Sequence, residues 1–170
     1  MRTYSHALLT FAAARSLKPD DDSFAVWATA GATIPDVPAA IGAVWLWARR
    51  RRYSRTDFLK EVCGRDAFRR PDATLHSALP VALALLLYAA FKIKRHDRRE
   101  AVLSLLLGWT GHVATDTLTH GSDARPLIWP LSKWRFVSPV SYRERERHGL
   151  AFTLTEHAIL LMVAARKLVR

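Results

Sequence analysis

One stretch of the chain carries three side chains that serve as metal ligands or acid–base groups in proteins. It reads Gly108-Trp-Thr-Gly-His112-Val-Ala-Thr-Asp116-Thr-Leu-Thr-His120-Gly121 and follows an apolar run. We expect it to be the C-terminal half of a buried helix that Gly121 closes in the left-handed conformation. Residues four apart on a helix stack on one face, so His112, Asp116 and His120 share a stripe. An imidazole and a carboxylate placed in this way can both bind one cation at ~2.0 to 2.2 Å.

A His-x-x-x-Asp pair is a weak pattern by itself. A histidine on an apolar helix face is more often a hydrogen-bonded core residue than a ligand. Three further residues of ligand type lie in apolar surroundings elsewhere, namely His6, Asp36 and His76. Burying such groups without partners is costly, so their number favours one shared site. Asp36 has an alternative role as the N-cap of the helix that follows it.

Length and composition indicate a helical domain. The 170 residues are the size of one domain, and we expect a single all-α domain over residues 1–170. Hydrophobic residues make up 50% of the chain and charged residues 24%, so apolar stretches alternate with basic clusters. No stretch of useful length alternates with the two-residue period of a strand. The single cysteine, Cys63, excludes an internal disulfide and a Cys-rich zinc site.

Apolar periodicity and turn residues place the helices. We expect them over residues 4–17, 25–32, 38–48, 75–91, 100–118 and 149–168. The region 49–73 is predicted to be mostly irregular, with a short helix at 56–62, and to act as a lid or surface-binding segment. His76 would lie in the first turn of its helix, where a neutral imidazole is favoured.

The basic character of the chain indicates an anionic partner. The net charge is +11 at pH 7, which suits anionic lipid head groups or nucleic acid phosphates. Basic clusters lie at residues 49–55, 92–99, 143–147 and 166–170. They adjoin apolar helices, which favours a lipid surface over a nucleic acid, although a solvated basic exterior would explain any one cluster. We expect membrane association, at the inner membrane if the source is bacterial. The apolar helices are short for a span or carry ionisable groups.

Three segments are informative when taken together. They are residues 31–36 (Gly-Ala-Thr-Ile-Pro-Asp), residues 74–77 (Thr-Leu-His-Ser) and the stretch from 108 to 121. As a set they resemble the YdjM-type membrane-bound metal-dependent hydrolases. That family is distantly similar to the all-helical zinc-dependent phospholipase C and single-strand nuclease group. The resemblance covers roughly residues 3–140. In the second segment the family has Arg-Gly-x-Thr-His-Ser, whereas this chain has Pro-Asp-Ala-Thr-Leu-His-Ser, and no second His-x-x-x-Asp pair occurs.

The resemblance implies a helical bundle with a metal site between its helices. One site would be formed by Asp36, His76, His112 and Asp116, and His6 would share Asp116 with a neighbouring ion. Without the second His-x-x-x-Asp pair, one or two ions are expected rather than three. Nitrogen and carboxylate ligands suit a divalent metal, above all Zn²⁺, which lowers the pKa of bound water to roughly 7.

The chemistry of such a site would be hydrolysis. Asp116 and His120 are the candidate catalytic residues, and His120 would either pass a proton to the leaving group or simply close the helix. Three cations could neutralise a phosphoester substrate, namely Arg69, Arg70 and Arg125.

The sequence therefore predicts a membrane-associated, phospholipase C-like hydrolase of phosphoester bonds. Two alternatives stay open, a metal-dependent nuclease and a non-catalytic helical membrane or partner-binding protein.

Overall fold

The computed structural model describes residues 1–91 and 96–168, with side chains to residue 166, so the basic clusters at 92–99 and 166–170 fall partly outside it. All regular elements in these ranges are helical, which confirms the all-α prediction. The helices are α1 (Thr3–Leu17), α2 (Asp22–Thr33), α3 (Val37–Arg50), α4 (Arg55–Phe58), α5 (Asp66–Leu75), α6 (Ala78–Ala90), α7 (His96–Thr119) and α8 (Gly149–Leu168). Short 3-10 turns occupy Ile34–Asp36 and Arg145–Arg147, and a π-helical turn occupies Leu59–Cys63.

Helices α2 and α7 make the most extensive helix contact, and two glycines permit it. A Cβ atom on Gly108 would lie 1.9 Å from the carbonyl oxygen of Ala28, and one on Gly31 would lie 1.9 Å from that of Leu105. No side chain fits at that distance, so the backbones meet directly. α1 packs on α2, and α6 packs on α7. This arrangement fixes the histidine-bearing face of α7 against its neighbours.

Helix α2 begins at a side-chain cap. Asp21 accepts a hydrogen bond from the backbone nitrogen of Phe24 at 2.8 Å and so caps α2.

The connection from α2 to α3 is tighter than the predicted turn. At the other end of α2 a single 3-10 turn, Ile34–Asp36, leads directly into α3, where Pro38 lies in the first turn. Asp36 occupies the N-cap position of α3 but its side chain makes no capping hydrogen bond. The predicted N-cap position of Asp36 is thus confirmed, but the capping hydrogen bond is missing, and its carboxylate accepts instead from the hydroxyl of Thr3 at 2.5 Å.

The region predicted as irregular is mostly helical. Ser54 and Asp57 form a capping box that starts α4, and α5 then runs to Leu75. His76 follows α5 directly, so the prediction that it lies in the first turn of a helix is wrong. Ser77 precedes α6, and its hydroxyl donates to the carbonyl of Leu127 at 2.8 Å. That distant carbonyl holds the chain at a 55° bend between α5 and α6.

Helix α7 ends without the predicted glycine cap. It stops at Thr119, and no glycine in the described residues has a positive φ. The returning chain terminates the helix instead. Ser138 donates its backbone N–H to the carbonyl of His120 at 3.0 Å, and Tyr142 donates to that of Thr119 at 3.2 Å. The prediction that Gly121 closes the helix in the left-handed conformation is therefore wrong.

The outer faces of several helices are apolar. Leu86 on α6 is 65% exposed, and Leu161 on α8 is 70% exposed. Two helical segments, Asp22–Arg50 and Gly149–Arg166, are long and apolar enough to cross a membrane by length and composition, and α5 with α6 would make a third, bent one. Only 11% of the segment in α8 is buried by the rest of the protein.

Candidate metal centre

Five histidines and aspartates from distant parts of the chain meet between the helices. His6 comes from α1, Asp36 from the α2–α3 junction, His76 from the α5–α6 junction, and His112 and Asp116 from α7. They form two overlapping groups, His6 with His112 and Asp116, and Asp36 with His76 and His112. In each group one ligand atom per residue lies within 4.8 Å of the others. The structure thus brings together all the residues that the sequence singled out as ligands.

Several ligand atoms of Asp36, His76, His112 and Asp116 are spaced as ligands of one cation are. The Nε2 atom of His112 lies 3.4 Å from Asp116 Oδ2, and that of His76 lies 3.6 Å from the same oxygen. His76 Nε2 also lies 3.5 Å from Asp36 Oδ1. Tetrahedral ligands ~2.1 Å from an ion are ~3.4 Å apart. The three distances therefore match those between ligands of one ion, and the histidines and aspartates of this cluster could hold a metal.

Backbone carbonyls fix the orientation of two imidazoles. His112 donates its Nδ1 hydrogen to the carbonyl oxygen of Ala32 at 2.7 Å, and His76 donates to that of Asp72 at 2.8 Å. Each Nε2 atom then carries a lone pair, and both Nε2 atoms are buried without a hydrogen-bond partner among the described residues. Buried polar atoms are rarely left unpaired. A backbone acceptor on one imidazole nitrogen is the usual support for a metal on the other.

His6 approaches the second oxygen of Asp116. Its Nε2 lies 2.8 Å from Asp116 Oδ1, and its ring stacks on that of His112 with centroids 3.9 Å apart. The Nδ1 atom of His6 lies 3.3 Å from the hydroxyl of Thr115, which is itself 2.8 Å from the carbonyl of Gly111. The carboxylate oxygen can only accept, so His6 Nε2 donates to it, and Nε2 is the atom that a bound ion would take in place of that hydrogen. Burial lowers the pKa of His6, which keeps the ring neutral.

Asp116 is the common neighbour of the imidazoles and is ionised. Burial raises the pKa of this carboxyl, but the imidazoles of His112, His120 and His6 outweigh burial and hold the pKa well below its usual range. One oxygen faces His76 and His112, and the other faces His6. The amine of Met1 also lies 2.5 Å from Oδ1.

His120 extends the cluster on the same face of α7. Its Nε2 lies 3.1 Å from Asp116 Oδ2, and its Nδ1 lies 3.0 Å from Asp123 Oδ1. Burial lowers the pKa of His120, but the hydrogen bonds with both carboxylates outweigh it and raise the pKa above its ordinary value. Asp123 was not recognised in the sequence, where the only signal is an acid three residues after a histidine. Burial raises its pKa, but His120, Arg143 and Arg125 outweigh burial and lower it to about 2.

The three predicted substrate-binding arginines lie in two places. Arg125 is next to the centre, since its Nε donates to Asp72 at 3.1 Å and its Nη1 lies 3.4 Å from His120 Nδ1. Arg69 and Arg70 lie on the exposed face of α5 and both pair with Asp66, at 2.5 and 2.8 Å. Asp72 is a second supporting residue that the sequence did not reveal. The roles of all three arginines stay predictions.

A cavity of about 640 Å³ opens above the cluster, and we call it the ester cavity. Its floor includes Asp36, Asp116 and His120. One wall is apolar and is made by α3 and the segment after it, with side chains such as Ala40 and Leu59. A ligand with a polar and an apolar part would therefore fit with its polar part over the cluster.

The fold and the cluster define an all-helical protein whose buried histidines and aspartates could hold a metal ion. Comparisons with known protein families, with curated proteins and with solved structures found no match.

Proposed function

We propose that the protein is a metal-dependent hydrolase of phosphoester bonds that acts at a membrane surface. The observation that carries the proposal is the pair of buried, unpartnered Nε2 atoms of His76 and His112, both within 3.6 Å of an oxygen of Asp116. A packing role would leave these lone pairs facing a carboxylate with nothing between them. A cation satisfies both imidazoles and the carboxylate at once.

The donor set favours zinc among the common divalent ions. Two to three imidazoles with two carboxylates are the ligands that Zn²⁺ binds in catalytic sites, and one or two ions fit the two overlapping groups. When bound, such an ion lowers the pKa of water enough to supply a nucleophile at neutral pH.

The chain's own residues account for the remaining steps of the hydrolysis. Asp116 places a negative charge between the two ligand groups and fixes their separation through its two oxygens. His120 holds a proton between Asp116 and Asp123, at the edge of the ester cavity, where it can be given to the leaving oxygen. Arg125 lines the same cavity and can neutralise charge on the phosphoryl oxygens.

The apolar wall of the ester cavity supports a lipid substrate. Single-stranded nucleic acid sites stack bases on aromatic side chains, whereas this wall is mainly aliphatic, with Val37, Ala40 and Leu59 among its residues. The exposed apolar faces of α6 and α8 would seat the protein at a bilayer. The net charge of +11 favours a nuclease as the second candidate.

Metal analysis of the purified full chain tests the proposal. The wild type should carry stoichiometric zinc by mass spectrometry, and His112→Ala or Asp116→Asn should lose it. His96→Ala is the matched control, because His96 is exposed on the same helix and lies outside the cluster. Equal trace metal in all four proteins would refute the metal centre.

The substrate is tested with the metal-loaded protein. Release of phosphate-containing product from phospholipid vesicles is compared with digestion of single-stranded DNA under the same conditions. Cleavage of lipid alone supports the proposal, and cleavage of DNA alone replaces it with the nuclease. Turnover of neither substrate by a zinc-loaded protein contradicts both.

A further inference from the structure

A second cavity, of about 470 Å³, adjoins the ester cavity. It lies between α5, the π-helical turn and the loop that follows α7. The two cavities share wall residues, among them Arg125 and Arg143. We call the second one the basic cavity, and it contains none of the five candidate metal ligands. A single ligand could therefore extend from one cavity into the other past these two arginines.

Positive charge is in excess around the basic cavity. The cationic residues that line it are Arg69, Arg70, Arg125, Lys133, Arg135 and Arg143, and the acidic ones are Asp72 and Asp123. Asp72 is paired with Arg125 at 3.1 Å, and Asp123 with Arg143 at 3.2 Å.

The other four cations have little compensation. Arg69 and Arg70 share the single carboxylate of Asp66, while Lys133 and Arg135 have no carboxylate within 4.0 Å in the described part of the chain. Counting Asp66, six cations face three carboxylates, which leaves a surplus of three positive charges.

The four cations of the surplus, Arg69, Arg70, Lys133 and Arg135, are exposed at the rim of the cavity, next to apolar side chains that line its interior. Val62 and Ala73 are buried, and Phe68 and Trp129 are half-buried at the same cavity. Low-dielectric walls strengthen the field of nearby charges. An anionic ligand would reduce the repulsion between the cations that line the basic cavity.

We propose that the basic cavity binds a second phosphate group of the substrate, so that the substrate is an amphiphilic phosphoester carrying a further phosphate. This inference rests on the proposed function, because the ester cavity would hold the bond that is cleaved. A phosphomonoester fits the surplus best among common anions, since it carries about −1.5 to −2 charge and three acceptor oxygens. Guanidinium groups such as those of Arg70 and Arg135 bind these oxygens in pairs.

Binding of inorganic phosphate to the metal-free full chain tests the inference separately from the proposed function. Calorimetry in detergent with a chelator keeps the metal centre out of the measurement. The double variant Lys133→Gln, Arg135→Gln should bind phosphate at least ~10-fold more weakly, as expected for lost charge-assisted hydrogen bonds. Arg70→Gln is an independent variant on a helix and should weaken binding in the same direction.

A matched control removes the same charge elsewhere. Arg52→Gln with Arg145→Gln takes two charges from exposed positions that line neither cavity, and should change phosphate affinity by less than about twofold. Equal weakening in both double variants would show a general charge effect and overturn the inference, as would the absence of phosphate binding by the wild type.

A vesicle arm separates a lipid phosphate from a free one. Vesicles of phosphatidylcholine with phosphatidate, which presents a terminal phosphate, should displace inorganic phosphate, and vesicles of phosphatidylcholine alone should not. Failure of the phosphatidate vesicles to compete overturns the lipid part of the inference. Zinc content and ester cleavage are measured separately, so a failed metal centre is distinguished from a failed phosphate subsite.

Discussion

Gly108→Ala should disable the proposed metal centre although Gly108 is not one of its candidate ligands. Its Cβ atom would lie 1.9 Å from the carbonyl oxygen of Ala28, whereas ordinary contact begins at 3.4 Å, so α2 and α7 must separate locally by about 1.5 Å. One turn further along both helices, His112 donates to the carbonyl of Ala32 at 2.7 Å. The same displacement would stretch that hydrogen bond to about 4.2 Å, which breaks it.

The magnitude follows from two opposing effects. Forcing a side chain into a packed interface costs about 1 to 3 kcal/mol, and the better helix propensity of alanine returns up to about 1 kcal/mol. We expect a net loss of up to about 3 kcal/mol in the free energy of unfolding. Zinc affinity should fall by about 10- to 100-fold, as for other losses of a hydrogen bond that orients a ligand. Chelator competition and thermal unfolding measure the two quantities.

Gly111→Ala provides the control on the same helix. A Cβ atom at Gly111 meets nothing within 4 Å, so alanine there should stabilise the helix by up to about 1 kcal/mol and leave zinc affinity unchanged. If Gly108→Ala binds zinc as tightly as Gly111→Ala, the coupling between helix packing and the ligands is refuted.

Three further outcomes are expected from the same structure. Free zinc at one hundred times its dissociation constant should stabilise the fold by about 2.7 kcal/mol, and an unchanged melting temperature would contradict this. Asp123, with a pKa of about 2 against 3.8, stabilises the fold above about pH 4, and that contribution is lost as pH falls through about 2. Asp123→Asn should therefore lower the free energy of unfolding by on the order of 2 kcal/mol at neutral pH, and this effect should fade in acid titrations as the pH falls below about 2. Arg2→Met removes the guanidinium partner of Glu156, which is 4% exposed and otherwise lies 4.0 Å from His157 Nδ1. The change should cost about 3 kcal/mol in thermal unfolding, most of it restored by adding Glu156→Leu.

The helices and the candidate ligands could be predicted from the sequence because both depend on local patterns of residues. The helical spacing of His112 and Asp116 predicts their common face on α7, which the structure has. The occurrence of His6, Asp36 and His76 in apolar surroundings predicted a meeting point, and the three do converge there. Their roles in catalysis remain predictions.

Long-range contacts explain what the sequence did not reveal. The bend between α5 and α6 at His76 depends on a hydrogen bond to the carbonyl of Leu127, about fifty residues away, and the residues around His76 do not predict that contact. The end of α7 depends in the same way on the later segment at Ser138, whose backbone N–H donates to the carbonyl of His120. Supporting acceptors such as the carbonyl of Ala32 are backbone atoms, which no residue type identifies.

Asp116 faces His6 with one oxygen and His76 and His112 with the other. If each side takes a divalent ion, the two ions compete for the charge of one carboxylate and repel each other across it. Loading would then be anticooperative, with two separate steps in a zinc titration. Asp116→Asn would weaken both places together, whereas His6→Ala would abolish only the step that belongs to the His6 side.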